Sequence, residues 1–140
     1  MKVNTRIRYG LRMLVAIAQE KSHINTTNLG ARMQVSPKYL RKLAGPLEKA
    51  GIIKSVQGVY GGYSLNQGPE KITIGTIMSA LGERLTITSC LNEKDCPLLD
   101  GCLTRPVWVA LETTLKKKFM TITLKDILEN RLENGWDARQ

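Results

Sequence analysis

Between Thr26 and Asn66 the order of local signals leaves few folds open. Thr26-Thr27-Asn28 opens a short helix that runs to about Met33, and Gln34-Val35 makes a tight turn. Ser36-Pro37 then restarts the helix, with the serine as N-cap and the proline at the first helical position, where its missing N–H costs nothing. This third helix continues to Ala50 and stops at Gly51, with Leu40, Leu43, Leu47 and Ala50 facing inward. Lys38, Tyr39, Arg41 and Lys42 project from its first turns, and Gly45-Pro46 in its middle predicts a kink or a break. Two β-prone runs, Ile52–Gln57 and Tyr63–Asn66, bracket the tip Gly58-Val59-Tyr60-Gly61-Gly62, which predicts a hairpin. Two short helices joined by a tight turn and followed directly by a hairpin predict a winged helix-turn-helix: a mainly α fold with a small β-hairpin wing. The glycines could instead cradle a mononucleotide, but no Lys-Ser/Thr or strand–loop–helix context surrounds them.

The charge agrees with that fold. Residues 1–66 hold eleven Lys and Arg against Glu20 and Glu48, whereas residues 67–140 hold ten basic and ten acidic side chains, so the whole +9 lies in the first half. Such asymmetry points to a nucleic-acid-binding half joined to a neutral half with another task. No apolar run approaches a membrane span and no leader peptide precedes the first helix pattern, so a soluble cytoplasmic protein is expected.

Around this core, residues 4–19 read as a helix capped by Asn4, with Ile7, Leu11, Leu14, Val15 and Ala18 as its apolar stripe. The following loop holds His23, and a lone loop histidine is more often solvated than functional. Thr73 caps a helix over Ile74–Leu81 that Gly82 ends. Thr104-Arg105-Pro106 starts a long helix with Trp108, Leu111, Leu115 and Phe119 along one seam and Glu112 and Lys116 to Lys118 off it. Thr123-Leu124-Lys125-Asp126 has the form of a capping box and opens a last helix. One isolated helix cannot bury such a seam, so those four residues are the candidate dimer interface, with packing against the first helix as the simpler option.

All three cysteines fall in Ser89–Cys102, spaced Cys-x5-Cys-x5-Cys in a segment rich in polar residues, Pro97 and Asp100-Gly101. Thiolates gathered on a bent loop suit an iron–sulfur cluster, whose irons take cysteine sulfur. Cysteines that merely pack are usually scattered through apolar runs. A disulfide framework would want an even count and a secreted context. Structural zinc would want four ligands and a short Cys-x2-4-Cys knuckle.

Taken in order, the winged helix, the Gly-Gly-Tyr wing, the cysteine loop and the Pro-x-Trp helix start make the chain similar to one bacterial regulator family. It is the family of the iron–sulfur cluster assembly regulator (IscR) and the nitric-oxide-sensing repressor (NsrR), and the resemblance covers roughly Met1 to Asn130. It implies a cytoplasmic homodimeric transcription factor on a pseudo-palindromic duplex, tuned by a 2Fe–2S or 4Fe–4S cluster on Cys90, Cys96 and Cys102. The candidate DNA contacts are Thr5, Arg6, Thr26, Ser36, Lys38, Tyr39, Arg41 and Lys42 from the helices, with Gln57, Gly58, Tyr60, Gly61, Gly62 and Tyr63 from the wing. Gln57 stands where the family commonly has an arginine, and Val59-Tyr60 replace the usual Pro-Gly. A histidine that is a fourth cluster ligand in one branch is Arg105 here, and an acidic ligand of another branch is Arg8. Asp95, Asp100, Glu93, His23, an external thiol or water would have to fill that position.

The expected organisation is a DNA-binding domain over 1–82, the cysteine loop over 83–103, dimerisation helices over 104–132 and a frayed tail over 133–140. A cluster-free regulator of the same fold, answering to thiol oxidation or a partner protein, is the first alternative. An iron–sulfur carrier would leave the basic first half without a purpose. An enzyme is not expected, because no His/Asp/Ser or paired-carboxylate constellation is present.

Overall fold

The computed structural model describes residues 2–92 and 96–132. Among these residues six α-helices and one hairpin follow in the order α1 (Thr5–Ala18), α2 (Thr26–Met33), α3 (Pro37–Lys49), β1 (Ile53–Val56), β2 (Gly62–Leu65), α4 (Ile74–Ala80), α5 (Arg105–Thr121) and α6 (Leu124–Leu128). Each helix start in the first half is capped as its residue types demand. The Asn4 side chain accepts from the Ile7 N–H, Asn25 from Asn28 and Ser36 from Tyr39. Thr73 with Thr76, and Thr123 with Asp126, form reciprocal capping boxes. Those two boxes lie side by side, because Ile74 N–H donates to the Ile122 carbonyl at 3.0 Å and Leu124 N–H to Ile72 at 2.8 Å, which ties α6 to α4.

Helix α1 is the hub, touching α2, α3, α4, α6 and β2. Its buried face is therefore wider than the expected stripe and turned from it: Ile7, Met13, Leu14, Ala16 and Ile17 are buried, while Leu11, Val15 and Ala18 sit half-buried on the flank. Leu40, Leu43 and Leu47 of α3 enter the same core as expected, but Ala50 lies past the helix end and is exposed. Of the kink or break expected at Gly45-Pro46, the break does not occur, since α3 runs through both residues. Pro46 removes the bond to the carbonyl of Lys42, itself an exposed residue, and buried Leu43 and Leu47 hold the turns on either side.

The hairpin is antiparallel, pairing Ile53 with Leu65 through to Val56 with Gly62. Ile24 adds a further rung, exchanging two backbone bonds with Tyr63 at 3.0 and 2.9 Å. Gly62 is needed there, because a Cβ would run into the Ile24 carbonyl. Helix α5 stands apart from this packing. It rests mainly on α4 and on the turn Ser89–Leu91, and Glu112 is its one buried residue. The expected frayed segment 133–140 lies outside the described residues.

Candidate nucleic-acid interface and cysteine loop

The exposed end of α3 is basic because its apolar positions are used up on the inner side. Lys38, Arg41 and Lys42 are exposed opposite buried Leu40, Leu43 and Leu47, and Ser36 is exposed at the cap. Tyr39 is placed differently. Its ring meets Tyr9 edge-to-face with centroids 5.8 Å apart, and the Arg12 guanidinium lies 5.4 Å from the centre of the Tyr9 ring. Tyr39 thus braces α3 against α1, and its ring is half-buried against the core.

The wing stands beside the start of α2. Asn25, Thr26 and Thr27 line one wall of a groove whose other wall is Ser55 to Val59 and Gly61 to Tyr63. Gln57, Gly58 and Tyr60 are exposed, and Gly58 holds a φ of 106°, a conformation that side-chain-bearing residues rarely adopt. Gly62 and Tyr63 face Ile24 and the core, and burial, with the Glu48 carboxylate, pushes the Tyr63 hydroxyl pKa up against a smaller opposing pull from Arg41. Thr5 and Arg6 are exposed on the first turn of α1. Arg6, however, lines a groove with Pro46, Lys49 and Gly82, beside the far half of α3. A helix the length of α3 spans roughly 18 Å, so Arg6 and Ser36 belong to opposite ends of that surface. The sequence offered His23 only as a substitute cluster ligand, yet its Nε2 donates to the Tyr60 carbonyl on the wing.

The cysteine loop is fastened to α5 at Ile87 and at Cys90. Glu112 accepts the Ile87 N–H at 3.2 Å and the Lys116 ammonium at 2.5 Å. The Arg105 guanidinium donates to the Cys90 carbonyl at 2.8 Å. Cys90 Sγ lies 3.1 Å from the Thr88 hydroxyl, and Cys102 Sγ 3.4 Å from that of Thr104. The Thr104 hydroxyl bond, helped by backbone N–H groups of Arg105 and Thr104, holds the Cys102 thiol below its usual pKa. All three cysteines are free and half-buried. Among the described residues no group of three His, Cys, Asp or Glu side chains is gathered where a metal ion could be held. Cys90, Cys96 and Cys102 are thus not gathered at one point, and by themselves they supply one thiolate fewer than a full cysteine set. Of the substitute ligands, Asp100 is exposed, His23 is engaged with the wing, and Glu93 and Asp95 lie outside the described residues.

Helix α5 leaves apolar surface uncovered. Trp108 is 37% and Leu111 48% exposed, Val107 and Val109 beside them are exposed as well, and Leu115 and Phe119 are half-buried. Among the described residues no helix is long and apolar enough to cross a membrane.

A helix pair with a basic exposed second member, set beside a glycine-tipped hairpin, defines a winged-helix regulator of transcription. A family model described as Rrf2, iron-dependent transcriptional regulator, matches residues 3–130, and the chain belongs to the Rrf2 family. It is 38% identical over 133 residues to the protein rrf2 of Nitratidesulfovibrio vulgaris, covering 93% of this chain and 89% of that one. Among solved structures it is similar to CymR, the global cysteine regulator of B. subtilis, with TM-score 0.79, 27% identity and coverage of 93% and 98%. It is also similar to T. potens IscR, with TM-score 0.73, 27% identity and coverage of 98% and 93%. DNA binding follows from this membership, and the role is regulatory, not enzymatic.

Proposed function

We propose that the chain acts as a cytoplasmic homodimer on a pseudo-palindromic duplex. Its operator binding is tuned by an iron–sulfur cluster on Cys90, Cys96 and Cys102 that answers to nitric oxide, redox state or iron–sulfur status. The observation that carries the DNA half is the exposed Ser36–Lys42 end of α3, cationic on one side and clamped to the core by leucines on the other. Two such ends would enter successive major grooves about one turn, roughly 34–36 Å, apart. The wing and Thr26 would follow the backbone beside them. The dimer is supported by the uncovered apolar surface of α5, since exposed patches of this kind mark association sites. The cluster is supported by the confinement of every cysteine to one irregular loop and by the iron dependence that the family description carries.

One observation favours a second version of the same reading, a cluster-free regulator answering to thiol oxidation or a partner protein. The three sulfurs are not converged, and Arg105 holds the Cys90 backbone where a ligand would otherwise serve. Anaerobic purification with iron and sulfide counts and a visible spectrum, repeated for Cys96→Ala, separates the two. Bound iron and sulfide lost in the variant support the cluster, and colourless iron-free protein supports the alternative. For the DNA half, Arg41→Ala is expected to weaken a selected duplex by about 1–3 kcal/mol, the range of one good base contact, and random DNA much less. Equal losses on both would remove the base-reading role.

A further inference from the structure

The wing tip, Gln57 to Gly61, leaves the body of the molecule and bonds to little of it. Val59 is 95% and Tyr60 88% exposed, and the turn is closed by the Gly61 N–H donating to the Gly58 carbonyl at 3.0 Å. A two-stranded ribbon on its own is marginal in water. Among the described residues one side chain from outside the hairpin hydrogen-bonds to this tip: His23 Nε2 donates to the Tyr60 carbonyl. The carbonyl only accepts, so Nε2 carries a proton, and the Ser22 hydroxyl lies 3.0 Å from Nδ1. His23 has a firm footing, because the next residue, Ile24, is buried and bonded twice to Tyr63. Beneath the tip His23 shares a cavity wall with Glu20, Asn28 and Arg32. Arg32 is itself held there, 2.6 Å from Glu20 and donating to the Ala16 carbonyl at 3.2 Å.

We infer that His23 is a positioning residue for DNA recognition, a strut that holds the Val59–Tyr60 tip at a set height beside α3. This rests on the DNA-reading role of the wing proposed above. Without the strut the tip has to be ordered when it meets DNA, and that ordering is subtracted from affinity. The loss falls on specific complexes, because a fixed height matters only where groove shape or base edges are read.

The test uses the full chain, a duplex that it selects from a randomised pool and a scrambled duplex of equal length. His23→Ala is expected to weaken the selected duplex about three- to tenfold, the span of one net hydrogen bond. The scrambled duplex and the thermal midpoint stay nearly unchanged. His23→Gln, whose amide N–H can reach the same carbonyl, recovers most of the loss, and His23→Ala adds nothing once Val59 and Tyr60 are both glycine. If Tyr60→Ala weakens the selected duplex while His23→Ala leaves it untouched, the strut is overturned and the wing reading stands. Equal losses from His23→Ala with and without the tip side chains overturn it too. If truncating Val59 and Tyr60 changes nothing, the wing is no reader and the strut falls with it.

Discussion

Glu112 is one of two fastenings of the cysteine segment to α5, and removing it gives a quantitative test. Its carboxylate does two things: it takes the Ile87 N–H at 3.2 Å and the Lys116 ammonium at 2.5 Å. The two are unequal in stability. A lost bond between a backbone N–H and a charged acceptor costs about 1.5–3 kcal/mol. Lys116 is 56% exposed on its side-chain surface, and an exposed pair at this spacing contributes only about 0.3–0.5 kcal/mol. Glu112→Ala is therefore expected to cost about 2 kcal/mol, and Lys116→Ala a few tenths. Hydrogen exchange at Ile87 reads the fastening directly: it should speed up strongly in Glu112→Ala, hardly in Lys116→Ala, and to an intermediate degree in Glu112→Gln, which keeps an acceptor. Acid should imitate the alanine variant. The Lys116 contact first, then the Ile87 N–H, hold the Glu112 pKa below its ordinary 4.5 against the opposing effect of burial. Its contribution is thus complete above that ordinary value and fades as pH falls through the lower folded-state value. The reasoning is refuted if Lys116→Ala loosens Ile87 as much as Glu112→Ala does.

Three further outcomes follow. Leu43→Ala, at a fully buried site of α3, should cost about 2–5 kcal/mol by denaturant titration; a cost below 1 would mean that the core beneath the basic helix end is loosely packed. Gly62→Ala places a Cβ against the Ile24 carbonyl and should destabilise by about 1–3 kcal/mol, with loss of amide protection at Ile24 and Tyr63. Leu111→Asp should leave helical content and single-chain stability within about 0.5 kcal/mol, while light scattering shows a monomer; a dimer that persists would move the interface off this part of α5.

Much of the chain was legible because its signals act within a few residues. Asn4, Ser36, Thr73 and Thr123 each satisfy N–H groups three positions on, so helix starts need no knowledge of the rest of the molecule. The turn at Gln34, the stop at Gly51 and the hairpin glycines are local in the same sense. The clustering of charge in the first half is a matter of counting. These sufficed for the winged helix and for the exposed basic end of α3.

Contacts between distant segments decided the rest. Periodicity sees one face of α1, but five elements close on that helix, so Met13 and Ile17 displace Leu11 and Val15 from its centre. Tyr39 and Tyr63 have the residue type of DNA readers and are half-buried, because Tyr9 and Ile24 arrive beside them from elsewhere in the chain. His23 is an unremarkable loop residue until folding brings the Tyr60 carbonyl, 37 positions away, to its ring. Glu112 looks like a surface charge until the Ile87 N–H needs an acceptor. A cap or a turn is chosen by its own neighbours, whereas burial and partnership depend on which surfaces the whole chain brings together.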